Sequence, residues 1–153
     1  MSANFTLQRF CHAEQTSEEV AASMRLDADS LSVQYSVYTK EPETFLPPDC
    51  PQENHHLLGR RDQLYSTTVF ELFIGSETEK YVEFNFSPLG YWCSYLFNSY
   101  RNRNSEPQFE SVAPRHFRFE RTKTKIVLGT TIEIAFLKKV LSENIDSCTA
   151  LVS

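Results

Sequence analysis

Residues 31–38, LSVQYSVY, place apolar side chains at the odd positions and mainly polar side chains at the even positions. Successive side chains of a β-strand point to opposite faces of a sheet, so this alternation is typical of a strand with one face on a core and the other towards solvent. The segment therefore predicts a half-buried β-strand, from which the rest of the chain can be interpreted.

Further short strands are predicted on both sides of this segment. Their residues alternate between apolar and polar or are apolar on both faces, and turn-forming residues separate them. The predicted strands cover residues 5–7, 20–26, 67–74, 81–87, 92–97, 116–122, 125–136 and 148–152, and one helical candidate covers residues 136–144. About nine strands with little helix indicate an all-β, antiparallel two-sheet β-sandwich.

The composition fits one globular domain. The chain has 153 residues, of which 41% are hydrophobic and 23% are charged, and its 12 Phe, 7 Tyr and 1 Trp favour strands over helices. The formal net charge of −5 argues against a nucleic-acid partner held by a broad basic surface. There is no apolar run long enough to cross a membrane and no secretory pattern at the N-terminus, so we expect a cytoplasmic protein without a membrane partner.

A proline-rich stretch at residues 41–63 interrupts the strand pattern. It contains Pro42, Pro47, Pro48 and Pro51 among polar residues, and proline removes the backbone donor that a strand needs. We predict a long loop within a single domain that covers residues 1–153. Because long loops often bind partners, a protein-interaction module that uses this loop or the edge strands remains an alternative.

The hairpin at residues 67–87 predicts where polar side chains converge. Glu83 and Asn85 alternate with large apolar residues, and the same parity places Glu71 of the preceding strand on their face of the sheet. Arg118, in a strand with similar alternation, is also predicted to point outward. Two carboxylates, an amide and a guanidinium on one face indicate a site for a polyhydroxylated or otherwise polar ligand. A purely structural pairing of Arg118 with Glu71 or Glu83 explains the same residues.

The sequence contains no recognisable catalytic or metal-binding motif. The four cysteines lack metal-knuckle spacing, and His55 and His56 are adjacent, so on an extended chain they point to opposite sides. A nucleophile elbow and a glycine-rich phosphate loop are both missing. We therefore predict no catalytic residue and no metal, with glycoside hydrolysis by a carboxylate pair as the one enzymatic alternative.

Residues 81–101, YVEFNFSPLGYWCSYLFNSYR, resemble the central segment of the bacterial DOMON-like domain proteins, which are related to family 9 carbohydrate-binding modules. The shared pattern is an aromatic residue, Glu-Phe-Asn, Ser-Pro-x-Gly-x-Trp and then Tyr-Arg. Residues 68–73, TVFELF, and Cys11-His12 also match, whereas Tyr65 stands where the family usually has Trp. The resemblance implies a jelly-roll-like β-sandwich without catalytic machinery, in a superfamily whose members bind sugars or haem.

These observations predict a non-catalytic module that binds a carbohydrate or a similar polar small molecule on a sheet face. Trp92 or a tyrosine is expected to form the stacking plane, although a lone Trp after a turn also fits a buried core. Haem, with Met24 or a histidine as axial ligand, is the alternative cofactor. The candidate ligand-binding residues are Glu71, Glu83, Asn85, Trp92, Arg101 and Arg118.

Overall fold

The computed structural model describes residues 2–6, 19–51, 57–64, 67–76, 78–104, 113–141 and 145–152. A short 3-10 helix, Pro42–Phe45, follows the third strand, and one α-helix, α1 (Ile134–Leu141), follows the tenth. The strands are β1 (Ser2–Thr6), β2 (Glu19–Leu26), β3 (Ser30–Tyr38), β4 (Gly59–Arg60), β5 (Phe70–Ser76), β6 (Tyr81–Phe86), β7 (Tyr91–Ser99), β8 (Asn102–Arg103), β9 (Arg115–Arg121), β10 (Lys125–Glu133) and β11 (Ile145–Val152).

The strands form two sheets. The first sheet has the order β1-β2-β3-β10-β9, and all its neighbours are antiparallel. The second sheet has the order β11-β5-β6-β7-β4, with β8 paired to β7. Its neighbours are antiparallel except for β4, which runs parallel to β7 at the edge. The predicted all-β sandwich is confirmed, with this one parallel pairing added.

The inner faces of the two sheets share one apolar core. The Tyr35 ring of the first sheet lies 5.2 Å from the Phe70 ring of the second, measured between centroids. The Tyr35 hydroxyl also donates a 2.6 Å hydrogen bond to the backbone carbonyl of Glu71, which satisfies a buried polar group and ties the sheets together. The apolar side chains of the alternating strands form this core. They include Leu31, Val33, Tyr35 and Val37 of β3 and Val82, Phe84 and Phe86 of β6.

The helix α1 replaces the last part of a predicted strand. Pairing of β10 with β3 ends at Glu133 opposite Ser30, where β3 itself begins, so the chain beyond Glu133 has no strand to pair with. Ile134, Leu137 and Leu141 are buried on one side of the helix. The strand prediction for residues 134–136 is therefore wrong, and the helix begins two residues earlier than expected.

Within the described ranges no helix is long and apolar enough to cross a membrane.

The described parts of the proline-rich stretch are packed against the sandwich. Leu46 and Cys50 belong to the main core. Downstream, β4 pairs with β7, and hydrogen bonds from Leu58 N to Gly90 O and from Arg61 N to Trp92 O extend this contact. A two-residue strand carries no side-chain period, so β4 was not predicted. Residues 52–56, which include His55 and His56, lie outside the described residues.

Candidate functional site

Three of the predicted site residues lie together on the outer face of the second sheet. Their neighbours along β5 and β6 point into the core, so Glu71, Glu83 and Asn85 point away from it. The strand register places Glu71 directly opposite Asn85, and Glu83 opposite Phe73. The shared face follows from the alternation of the sequence, while a role for these residues in binding stays a prediction.

Asn85 is buried on this face. Its side chain is 1% exposed, and its Nδ2 group donates a 2.8 Å hydrogen bond to Oε1 of Glu83. The Oδ1 atom of Asn85 has no hydrogen-bond partner among the described residues. The expectation that Asn85 contacts a ligand directly is therefore wrong for this conformation, and Asn85 instead orients the Glu83 carboxylate.

A crossing segment, described at residues 61–64 and 67–69, lies over the face that carries Asn85. In the second sheet β4 is the neighbour of β7, and β5 is the neighbour of β6 on the opposite side. The connection from β4 to β5 must therefore cross both β7 and β6. It crosses on the outer face, because Leu64 and Val69 form a small apolar cluster with Cys93 and Tyr95 of β7. This second cluster covers the end of the face that carries Asn85.

Polar contacts hold the crossing segment in place. The Tyr95 hydroxyl donates a 2.9 Å hydrogen bond to Asp62, which also forms a 2.9 Å ion pair with Arg60. The Arg60 hydrogen bond, with a smaller contribution from Tyr95, lowers the pKa of the Asp62 carboxyl. Burial raises the pKa of the Tyr95 phenol and of the Cys93 thiol. At neutral pH this network therefore holds an ionised Asp62 against a neutral tyrosine.

The other end of the outer face carries an aromatic patch, formed by Phe73, Tyr81 and Phe97. Tyr81 and Phe97 lie directly opposite each other on β6 and β7, and their rings are stacked with centroids 4.6 Å apart and planes 4° apart. Phe73 tilts against Tyr81 with a centroid distance of 6.2 Å. All three side chains are half-exposed. The patch thus presents a preformed apolar surface next to Glu83.

A polar rim borders the aromatic patch at the turn between β7 and β8. Tyr100 is 78% exposed, and the guanidinium carbon of Arg101 lies 5.2 Å from the centroid of its ring. The backbone nitrogen of Arg101 lies 3.5 Å from the Tyr81 hydroxyl oxygen. Glu79, Tyr81, Ser99 and Tyr100 line a shallow cavity of about 480 Å³ here. The backbone of Arg101 therefore lies beside the patch, and a role for its side chain in binding stays a prediction.

Trp92 does not lie on this face. It is 5% exposed and belongs to the main core, because its register partner Phe86 points inward and paired residues of neighbouring strands share a face. The prediction of Trp92 as the stacking plane is therefore wrong. The buried-core interpretation of this Trp is the one that the structure supports.

Arg118 lies on the other sheet. It pairs with Gly129 of β10 on the outer face of the first sheet, and its guanidinium donates hydrogen bonds of 3.0 and 2.6 Å to Glu120. The core separates it from Glu71 and Glu83, so both its assignment to their site and its expected pairing with them are wrong. Alternation alone predicts the face of a strand but not the sheet to which the strand belongs.

The haem alternative stays a prediction. The Met24 side chain is buried in the core between the sheets, whereas His116 is exposed on β9. These two side chains therefore point to opposite faces of the first sheet, and a haem needs only one axial ligand from the protein. Within the described residues there is also no group of three or more metal-ligating side chains. His12 lies outside them, as do His55 and His56.

The aromatic patch also follows from the alternation of the strands. Phe73 and Tyr81 have the same parity as Glu71 and Glu83, and Phe97 has the parity of Tyr95, so the period-two pattern contained the signal. Parity alone does not show which part of an outer face stays open, so these three residues were not among the candidates. Comparison of the chain with protein-family models, curated proteins and solved structures finds no match.

Proposed function

We propose that the protein is a non-catalytic module that binds a carbohydrate or a similar polar small molecule at the aromatic patch and Glu83. The observation that supports this most directly is the stacked, half-exposed pair of Tyr81 and Phe97 on the same face as the carboxylate. The resemblance to DOMON-like domains suggests the same class of ligand and a jelly-roll-like topology. A cytoplasmic location remains part of this proposal.

The two kinds of surface match the two sides of a sugar ring. A pyranose presents C–H groups on its faces, which pack on an aromatic plane, and hydroxyl groups around its edge, which need acceptors and donors. The patch supplies the plane. Glu83 supplies acceptor oxygens, and the Ser99 hydroxyl and the Arg101 guanidinium supply further hydrogen-bonding groups at the rim. The shallow, open shape suits a surface sugar unit rather than a fully enclosed small molecule.

Glu83 is held in place before a ligand arrives. Asn85 donates to one of its oxygens from a buried position, and Phe73 and Tyr95 are its register partners on the two neighbouring strands. A side chain that is already oriented loses less conformational entropy when it binds. The buried amide therefore contributes to binding through Glu83.

Screening on a glycan array followed by calorimetric titration of the best soluble oligosaccharide tests the proposal. We expect Tyr81→Ala and Glu83→Gln each to weaken binding by about tenfold or more. Tyr38→Ala is the matched control, because Tyr38 is a 42% exposed tyrosine on the first sheet and its loss should leave the affinity unchanged. Thermal unfolding verifies that each variant is folded. Absence of any bound glycan, or equal affinity for all variants, would contradict the proposal.

A further inference from the structure

A β-bulge on the edge strand β9 brings three basic side chains to one face. Arg118 pairs with Gly129 and Arg115 pairs with Thr131, so two residues of β9, His116 and Phe117, stand opposite one residue of β10. His116 adopts a φ of 52°, a left-handed conformation that is unusual for a residue other than glycine. Without the bulge, Arg115 and Arg118 would point to opposite faces.

The exposure pattern shows the result of the bulge. Arg115, His116 and Arg118 are all exposed, whereas Phe117 packs against the main core. The carbonyl of Arg115 at the bulge accepts a 3.3 Å hydrogen bond from the Thr130 hydroxyl. The buried Thr130 side chain thus satisfies a backbone carbonyl at the bulge, while Arg115, His116 and Arg118 remain on the outer face. Bulges are frequent beside binding sites because they redirect side chains in this way.

These residues border a trough on the outer face of the first sheet. Its floor is made of small side chains at neighbouring register positions: Ser32 faces Thr131, with their hydroxyl oxygens 3.2 Å apart, and Gly129 carries no side chain. One part of the trough has a volume of about 430 Å³, and an adjoining part has about 370 Å³. Arg25 and His116 line both parts. The two parts therefore adjoin each other on the outer face of the first sheet.

Three arginines and a histidine line the walls of the trough. They are Arg25, Arg115, Arg118 and His116, and two acids, Asp29 and Glu133, lie among them. Each arginine is oriented by a carboxylate: Arg25 by Asp27 at 3.0 Å, Arg118 by Glu120 at 2.6 Å, and Arg115 by Glu133.

These arginines keep donors for a ligand. All three side chains are more than half exposed. A guanidinium has five N–H donors, and one carboxylate does not use them all. Oriented guanidinium groups with donors to spare are suited to a carboxylate or phosphate.

We propose that the trough is a second binding site, for a small hydroxylated anion such as a sugar that carries a carboxylate or phosphate group. Arg25, Arg115 and His116 bind the anionic group, and the hydroxyls of Ser32 and Thr131 with the amide of Gln34 bind the ligand hydroxyls. The site lies on the opposite sheet from the aromatic patch and does not depend on it.

Titration with glucuronate, glucose 6-phosphate and glucose at matched ionic strength, followed by amide NMR shifts, tests this assignment. We expect one or both anions to bind at least about tenfold more tightly than glucose, with shifts at β2, β3, β9 and β10. Gly129→Leu fills the floor and should weaken binding by about tenfold or more. Gly129→Ala is its control, because a Cβ there meets its nearest neighbours at 3.8 and 3.9 Å, which is ordinary contact.

Arg25→Gln keeps the test valid if Gly129→Leu does not fold, and it should weaken anion binding by about tenfold. Tyr81→Ala should leave anion binding unchanged while it weakens binding at the aromatic patch. The proposal is overturned if neither anion binds at about 10 mM, or if glucose binds equally well. It is also overturned if Tyr81→Ala rather than Gly129→Leu removes anion binding, since the sugar would then occupy the aromatic patch.

Discussion

Asn85 donates a 2.8 Å hydrogen bond to the carboxylate of Glu83 from a side chain that is 1% exposed, and its own Oδ1 atom finds no partner among the described residues. A buried amide with one unsatisfied oxygen costs stability, as buried polar atoms do. In the structure this amide lies next to Glu83, whose carboxylate is partly exposed beside the aromatic patch.

Asn85→Asp tests this relationship, because it keeps the shape of the side chain and replaces the donor by a carboxyl. At neutral pH two carboxylates then face each other, one of them buried, and we expect a loss of about 3 kcal/mol in the free energy of unfolding. The folded state raises the pKa of the new carboxyl above its unfolded value, so this loss should shrink as the pH falls towards that value. Chemical denaturation at several pH values measures it, and a loss that does not change with pH would contradict the buried pairing.

Trp92→Ala separates a core role from a binding role. Because Trp92 is buried in the main core, its truncation should lower the free energy of unfolding by about 3–5 kcal/mol. Trp92→Phe retains part of the volume and should cost less. Affinity of the folded fraction for a glycan should not change. If Trp92→Phe abolished binding at unchanged stability, the inward position of this side chain would be in error.

Acid should weaken the contact between the crossing segment and β7. The pKa of the Asp62 carboxyl is lowered in the folded state, chiefly by the Arg60 hydrogen bond, so its contribution to stability is present above about pH 4 and is lost as the pH falls through the folded pKa. The difference in unfolding free energy between the unmodified protein and Asp62→Asn should therefore shrink in acid. Denaturant titrations from about pH 6 down to about pH 3 measure this difference. A constant difference over this range would count against the ion pair.

The two buried thiols should be unreactive in the native protein. Cys50 and Cys93 are both buried, and burial raises the pKa of Cys50 to about 11 and also raises that of Cys93. Since only the thiolate reacts readily, we expect little labelling by iodoacetamide at about pH 8 and complete labelling after unfolding. Peptide mass mapping distinguishes these residues from Cys11 and Cys148. Rapid native labelling of Cys93 would show that the crossing segment opens.

Part of the candidate site follows from local sequence. Glu83 and Asn85 share a face because they are two residues apart in a strand, and Glu71 joins them because its strand pairs with theirs through a short hairpin. Arg118 was assigned wrongly for the converse reason. Its strand forms a short hairpin with β10, but which sheet takes this hairpin depends on the pairing of β10 with β3, which lies far away in the sequence.

The strand alternation by itself determined the two-sided character of each strand, and with it the core, the outward acids and the all-β class, because a period of two follows from backbone geometry alone. Only the tertiary structure decided which outward surface stays open. The crossing segment buries Asn85 and leaves Tyr81 and Phe97 half-exposed, and the bulge at His116 turns Arg115 outward. Both outcomes depend on contacts between different segments of the chain, and no period along one strand encodes those contacts.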